Sequence, residues 1–378
     1  MRRELSDLVS KLVAIDSVNP ELIPGARGEV ELARFVAAWL ERAGLDVEVE
    51  DAAPGRPNVV AVARGTGGGR SLLLNAHLDT VGVAGMERPH DPYVENGRLY
   101  GRGAYDMKGS LAAIMLVAAE AARRGLAGDV LVAAVADEEV ESVGAQAVAR
   151  RRRVDAVIVA EPTELRVAVC HRGFVAFEAE TRGRAAHGSR PDLGIDAIAK
   201  MGRVLVGLEE LDRTLRAGPQ HPLLGTGSLH ASVIEGGQEY SSYPARCLLK
   251  AERRTLPGET PELLLAEVGE VVRRGAEGDP DFHCDVRVGL ARDPFQVDAE
   301  ASIVQAVRRH AARVLASEPP LVGVPFWTDA GIFSGAGMPT VVFGPAGEGA
   351  HAVVEWIDLE SLAACAEIYL AVAEEVCS

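Results

Sequence analysis

The chain has 378 residues, of which 48% are hydrophobic and 25% are charged; this is an ordinary globular mix, long enough for two domains. The 39 Lys and Arg stand against 55 Asp and Glu, a net charge of −16. This balance argues against nucleic acid or an anionic membrane as a partner, because either would need a basic face.

The N-terminal residues 1–17 are charged and amphipathic, with leucines at helical spacing, and they lack the apolar core of a signal peptide. No stretch approaches the roughly 20 apolar residues of a membrane span. The five cysteines are an odd number with no CxxC spacing. We therefore expect reduced thiols in a cytoplasmic protein.

Strand-like and helix-like segments alternate through the first half of the chain. Apolar strands are predicted at 58–63, 71–75, 129–135 and 156–159, with helices at 109–124 and 143–152. Apolar strands separated by helices indicate an open α/β sheet, here of mixed direction, covered on both faces.

The pattern changes near residue 170. Apolar and polar residues alternate from 174, and the following segments read β-α-β-β-α-β, the order of a ferredoxin-like module. From about Ile303 the α/β pattern resumes. The sequence thus predicts an α/β domain of residues 1–170 and 291–378, interrupted by a small inserted α+β domain at 171–290.

Polar side chains follow several predicted strands at the edge where ligands bind in an open α/β sheet. These residues are His77 and Asp79, Glu138 and Glu139, Glu161 and His351, with Asp106 ahead of the helix at 109–124. Singly, each has an ordinary explanation: Asp106 as a helix cap, Glu161 as a turn residue before Pro162, the two glutamates as a solvated loop. Together the carboxylates would repel unless cations neutralised them. Imidazole and carboxylate without thiolate suit Zn²⁺, Co²⁺ or Mn²⁺.

Several short motifs carry a resemblance to a known family. They are HLDT (77–80), GRGAYDMKG (101–109), DEE (137–139), EPT (161–163), RAAHGS (184–189) and GAHAVVEW (349–356). Over essentially its whole length the chain resembles the di-zinc amidohydrolases and peptidases. That family includes acetylornithine deacetylase, succinyl-diaminopimelate desuccinylase, aminoacylase and carboxypeptidase G. The segments 252–259 and 328–345 look most like the acetylornithine deacetylase branch.

The resemblance implies two divalent ions, Zn²⁺ or possibly Co²⁺, bridged by Asp106. His77 and Glu161 would complete one ligand set, and Glu139 and His351 the other. It also implies that the peptide bond from Asp106 to Met107 is cis.

The resemblance further assigns roles beside the metals. Glu138 would be the general base for a water held between the ions. Asp79 would accept a hydrogen bond from the free ring nitrogen of His77, which lies on the same side of an extended segment. His187, in the inserted domain, would reach the substrate carbonyl across a dimer interface. Arg254 would bind the substrate's carboxylate. Ser241, upstream of it in the sequence, would contact the substrate at a position where many relatives carry Asn.

The expected function is a metal-dependent hydrolase that removes an N-acyl group from an amino acid. Its substrate would be an N-acyl amino acid or short peptide with a free carboxylate, and the enzyme would be a homodimer through the inserted domain. Two alternatives stay open: a carboxypeptidase or dipeptidase with the same metals, and a catalytically inactive relative that serves as a binding or scaffold protein.

Overall fold

The computed structural model describes residues 2–378, and all statements on the fold refer to them. The helices are α1 (Arg2–Val13), α2 (Val30–Arg42), α3 (Gly109–Arg124), α4 (Val143–Arg151), α5 (Ala197–Ala217), α6 (Pro261–Gly275), α7 (Ser302–Leu315), α8 (Ala330–Gly335) and α9 (Leu359–Val376), with a π-helical turn at Ala104–Lys108. None of these helices has both the length and the apolar character needed to cross a bilayer.

The strands are β1 (Asp46–Ala53), β2 (Arg56–Ala63), β3 (Leu72–His77), β4 (Tyr93–Glu95), β5 (Arg98–Tyr100), β6 (Val130–Val135), β7 (Ala156–Val159), β8 (Val167–His171), β9 (Gly173–Arg182), β10 (Ser228–Gly236), β11 (Arg246–Thr255), β12 (His283–Arg292), β13 (Phe295–Gln296), β14 (Leu321–Val324), β15 (Thr340–Val342), β16 (Gly347–Glu348) and β17 (Trp356–Asp358).

The chain forms two compact units. Among the described residues, the first unit contains 2–169, 296–323 and 328–378, and the second contains 170–295 and the short segment 324–327. The second unit therefore includes a segment, 324–327, that the sequence did not predict. The assignment of the first unit as the catalytic domain and of the second unit as an inserted domain stays a prediction.

The first unit is built on a nine-stranded mixed sheet. Its strand order is β1-β2-β6-β3-β7-β15-β8-β13, with β14 paired to β8. The central strands β6, β3, β7 and β15 run parallel, whereas β1, β2 and β8 pair antiparallel to their neighbours. The mixed α/β architecture predicted from the sequence is confirmed. Parallel central strands also place their carboxyl ends at one edge of the sheet.

Local sequence explains how this sheet is covered. Every residue of β3 is buried, and its run of leucines suits a strand covered on both faces. Helix α3 is made of Ala, Leu, Ile and Met and is buried along most of its length. It ends at Gly125, whose φ of 63° and N–H bond to the Ala121 carbonyl form a left-handed C-terminal cap. Helix α9 packs against α3 and α7.

A second, four-stranded sheet of the first unit has the order β16-β17-β5-β4. Strand β17 pairs with β5, so that Trp356 lies opposite Tyr100. This pairing fixes the segment after His351 next to the residues that lead into the π-helical turn at Ala104–Lys108.

The second unit is a four-stranded antiparallel sheet of order β10-β11-β9-β12, packed against α5 and α6. The alternation in β9, buried at every second residue, places Val175, Phe177 and Ala179 in the same core as Met201 of α5 and Val268 of α6. The β-α-β-β-α-β order agrees with the ferredoxin-like module predicted from the sequence.

Candidate active site

The candidate site lies at the edge of the large sheet where its parallel strands end. β3 ends at His77, β6 is followed by Glu138 and Glu139, and β7 is followed by Glu161. Because β3 pairs in parallel with both β6 and β7, these side chains emerge at the same edge.

Both ring nitrogens of His77 have close polar neighbours. Nδ1 lies 2.9 Å from the backbone carbonyl oxygen of Asp79; a carbonyl only accepts, so Nδ1 is the nitrogen that donates. Nε2 faces Asp106 Oδ1 at 3.0 Å and Glu161 Oε1 at 3.8 Å. In the neutral ring, Nε2 is therefore the nitrogen available to a metal ion.

Asp79 contacts His77 through a different atom from the one that the sequence predicted. Its carboxylate Oδ1 is 3.6 Å from His77 Nδ1, which is too long for a hydrogen bond. The reason is that this carboxylate already accepts the backbone N–H groups of Glu138, at 3.0 Å, and Glu139, at 3.2 Å. Asp79 thus orients His77 through its carbonyl and holds the two glutamates through its carboxylate.

Asp106 lies between two imidazoles. Its Oδ1 is 3.0 Å from His77 Nε2, and its Oδ2 is 3.4 Å from His351 Nε2. The peptide bond from Asp106 to Met107 is cis, as the resemblance implied. One carboxylate oxygen toward each ring is the arrangement expected of a carboxylate that bridges two ions.

His351 and Glu139 form the other half of the site. The His351 Nε2 atom is 3.0 Å from Glu139 Oε2. The backbone of His351 is left-handed, with φ at 62°, and its side chain is 55% exposed, whereas that of His77 is 1% exposed. His77 is therefore buried, whereas His351 opens to solvent.

Two overlapping groups of side chains have the geometry of a metal site. One contains His77, Glu138 and Glu161, and the other contains His77, Asp106 and Glu139; within each group the ligand atoms lie within 4.8 Å of one another. Glu138, which the resemblance assigns as the base, is thus within reach of whatever His77 and Glu161 hold.

Crowding of charge perturbs the pKa values of the site. Burial, followed by the charge of Glu161, raises the pKa of Glu138 well above its usual range. Burial and the Asp106 charge raise the pKa of Glu161 well above the usual range, and raise that of Glu139 as well. The hydrogen bonds of His351 to Asp106 and Glu139 raise its pKa to about 10.

These shifts describe a set of ligands that fits divalent cations. Four carboxylates and two imidazoles lie together, and the buried carboxylates become costly when ionised unless positive charge is nearby. Oxygen and imidazole nitrogen without sulfur suit Zn²⁺, Co²⁺ or Mn²⁺. The residues present therefore match the metal chemistry that the sequence indicated.

Glu355 is a site residue to which the sequence assigned no role. It is 1% exposed, and its Oε1 accepts the backbone N–H groups of Tyr105, at 2.9 Å, and Asp106, at 3.0 Å. Its Oε2 accepts from Gly103 N at 3.0 Å and from Arg102 Nη1 at 2.6 Å. The signal for Glu355 in the sequence was its place within the motif GAHAVVEW. In the structure its carboxylate holds the segment that carries Asp106.

Asp329 is a further buried carboxylate of this edge, at the start of α8 and 1% exposed. Burial is the main cause of the raised pKa values of Glu138 and Glu161, and the charge of Asp329 contributes to both. It lies within the segment 328–345, but nothing in the spacing of that segment distinguished Asp329 from a helix cap.

The remaining predicted residues lie in the second unit. His187 is exposed, and its Nδ1 accepts the backbone N–H of Ser189 at 3.2 Å, which leaves Nε2 as the donor. The loop of His187 pairs with that of Ser241, because Gly188 N donates to the Ser241 carbonyl at 2.6 Å. Arg254, on β11, donates from Nε to Glu252 at 2.6 Å.

The chain belongs to the peptidase family M20/M25/M40, whose model matches residues 73–375. Together with the site, this membership identifies a metal-binding hydrolase that acts on amide bonds.

Two relatives and one solved structure illustrate the range of the family. The chain is 32% identical to an acetylornithine deacetylase of Myxococcus xanthus over 94% of this chain and 93% of the relative. It is 29% identical to an N-formyl-4-amino-5-aminomethyl-2-methylpyrimidine deformylase of Halalkalibacterium halodurans, over 96% and 91%. The aminopeptidase PepT of Bacillus cereus has the same fold, with a TM-score of 0.82 at 22% identity over 100% of this chain and 99% of that structure.

Proposed function

We propose that the protein is an N-acyl amino acid deacylase similar to acetylornithine deacetylase. The observation that carries the proposal is the position of Asp106, whose two oxygens face His77 and His351. The acetylornithine deacetylase of Myxococcus xanthus, 32% identical over nearly the whole chain, supports an acylated amino acid as the substrate.

The ligands of the proposed ions fall into two sets that share Asp106. His77 and Glu161 would complete the first set, and Glu139 and His351 the second. When bound, two Zn²⁺ or Co²⁺ ions would lower the pKa of a water molecule and polarise the amide carbonyl.

The chain's own residues would then move protons and hold the substrate. A carboxylate oxygen of Glu138 would take a proton from the attacking water and return it to the departing amide nitrogen. Arg254 would pair with the free carboxylate of the substrate. Ser241, on the loop that pairs with that of His187, would also contact the substrate, and His187 would donate from Nε2 to the carbonyl oxygen.

Two further proposals come from the resemblance and the cysteines. We infer a homodimer through the second unit, because His187 is expected to act on the site of a partner subunit. The odd number of cysteines without CxxC spacing favours a reducing, cytoplasmic location.

The test is a hydrolysis panel on metal-reconstituted protein with N-acetyl, N-formyl and N-succinyl amino acids and dipeptides. Glu138→Gln, purified in parallel, controls for contaminating hydrolases. We expect N-acetyl amino acids to be cleaved by the wild type. Cleavage of dipeptides only would make the protein a peptidase of the family, and no cleavage of any amide would support the inactive relative.

A further inference from the structure

A buried polar layer lies behind the turn that carries Glu138 and Glu139. We call it the support layer, and its members, at most 7% exposed, are Asn19, Glu29, Arg56, Asp79 and Asp137. All belong to the first unit. Polar groups so deeply buried are costly unless each finds a partner, so their bonds show what the layer holds in place.

Arg56, on β2, pairs with two carboxylates at once. Its Nε lies 3.1 Å from both carboxylate oxygens of Glu29, and its Nη2 lies 2.6 Å from Glu29 Oε1. The same Nη2 lies 2.8 Å from Asp137 Oδ1. The planar fork of a guanidinium suits this geometry, which a lysine cannot reproduce.

Asn19 joins the other side of the layer. Its side-chain amide donates to Asp79 Oδ2 at 2.7 Å and to Asp137 Oδ1 at 3.0 Å. Its Oδ1 accepts the backbone N–H of Glu21 at 3.0 Å, which fixes the orientation of the amide. Both amide hydrogens therefore serve the two aspartates.

The aspartates in turn hold the turn at 137–142. The carboxylate of Asp79 accepts the N–H groups of Glu138 and Glu139, and that of Asp137 accepts the N–H of Glu141 at 3.3 Å. Asp137 itself has a φ of 69°, a left-handed conformation that surrounding contacts must maintain.

We propose that Asn19 and Arg56 are positioning residues, which act through Asp79 and Asp137 to hold Glu138 and Glu139 in their working orientation. The proposal rests on the proposed function of those two glutamates. Outer groups of this kind typically change metal affinity or activity by about 10–100-fold when removed. The side chains of Asn19 and Arg56 bond to the carboxylates of the support layer, and none of these carboxylates is a proposed metal ligand. Each of the two residues therefore acts through the aspartates and the backbone.

The experiment uses full-length Asn19→Ala and Arg56→Lys, with Zn²⁺ titration and the hydrolysis of N-acetyl-L-ornithine as readouts. For Asn19→Ala we expect kcat to fall about 10–100-fold, with KM changed by less than about twofold. Binding of one Zn²⁺, the one held by Glu139, should weaken by a similar factor while the other stays unchanged.

Arg253→Lys is the matched control. Arg253 is also buried and also bonds two carboxylates, Glu259 at 2.6 Å and Glu267 at 2.9 Å, but it lies in the second unit. Both lysine variants should lower the melting temperature, whereas only Arg56→Lys should alter kcat and one Zn²⁺ affinity.

If both support-layer variants only lose thermal stability, with kcat and Zn²⁺ binding like those of the control, the positioning role is wrong. Failure of the wild type to bind Zn²⁺ or to cleave any amide would instead refute the proposed function. The two failures are therefore distinguishable.

Discussion

Glu138 and Glu139 are neighbours in sequence with different surroundings. The carboxylate of Glu139 is 3.0 Å from His351 Nε2, whereas Glu138 groups with His77 and Glu161. Glu138→Gln keeps the shape but removes the base, so metal content should persist while kcat falls about 10²–10⁴-fold. Glu139→Gln should weaken one metal site. Metal analysis and kinetics check both, and loss of metal from Glu138→Gln with retention by Glu139→Gln would mean that the roles are reversed.

The protonation of the His351 ring should make metal binding depend on pH. Its pKa of about 10, raised by Asp106 and Glu139, means that the metal-free protein carries a proton on this ring at pH 8. A metal ion binds the neutral ring, so binding must release that proton and must weaken as the pH falls.

Calorimetric Zn²⁺ titration at pH 8, in buffers of different ionisation enthalpy, measures this release. His351→Ala should release fewer protons than the wild type. Equal proton release by the two proteins would show that His351 is not a ligand.

Glu355, directly before β17, holds the segment that carries Asp106 against that strand's end. It accepts from three backbone N–H groups and one guanidinium. A glutamine has one acceptor oxygen and an amide that would face these donors, so Glu355→Gln should cost about 1–3 kcal/mol of unfolding free energy and weaken metal binding.

Urea denaturation of the metal-free protein measures the cost. Glu348→Gln, at an exposed position of the neighbouring β16, should change stability by less than about 0.5 kcal/mol. Equal losses in the two variants would contradict the structural role of Glu355.

Elements with a strong local pattern could be predicted from the sequence. Helix α3 was predicted with the bounds that the structure has, as was β7, because an apolar run ended by glycine or a turn needs no distant partner to be recognised. The strand-end residues followed from the parallel order of β3, β6 and β7.

The contacts that hold those residues could not be predicted in the same way. Asn19 reaches Asp137 across 118 positions, and Glu355 reaches Asp106 across 249. Such bonds depend on how the whole chain packs, and no local periodicity encodes them. The prediction that the Asp79 carboxylate accepts the His77 N–H was wrong for the same reason. That carboxylate accepts backbone N–H groups that come from a turn distant in sequence.

The proposed active-site residues are divided between the two units of the chain. His187 lies in the second unit, and we expect it to serve the site of a partner subunit. His187→Ala should leave metal content and dimerisation unchanged and lower kcat about 10²-fold or more, as loss of a donor to a developing oxyanion does.

Mixing His187→Ala with Glu138→Gln subunits tests that assignment. A heterodimer would have one site that lacks both groups and one site that lacks neither, so activity should recover as the subunits exchange. No recovery after proven exchange would place His187 within its own chain's site or remove it from catalysis.

We expect this edge of the sheet to hold two metal ions that amide hydrolysis requires. The most direct measurement is to strip the protein with a chelator, add Zn²⁺ back stepwise, and follow bound metal and N-acetyl-L-ornithine hydrolysis together. Activity should be lost on stripping and should return as bound Zn²⁺ approaches about two equivalents per chain. Hydrolysis that survives complete removal of metal, or a chain that binds no divalent ion, would contradict it.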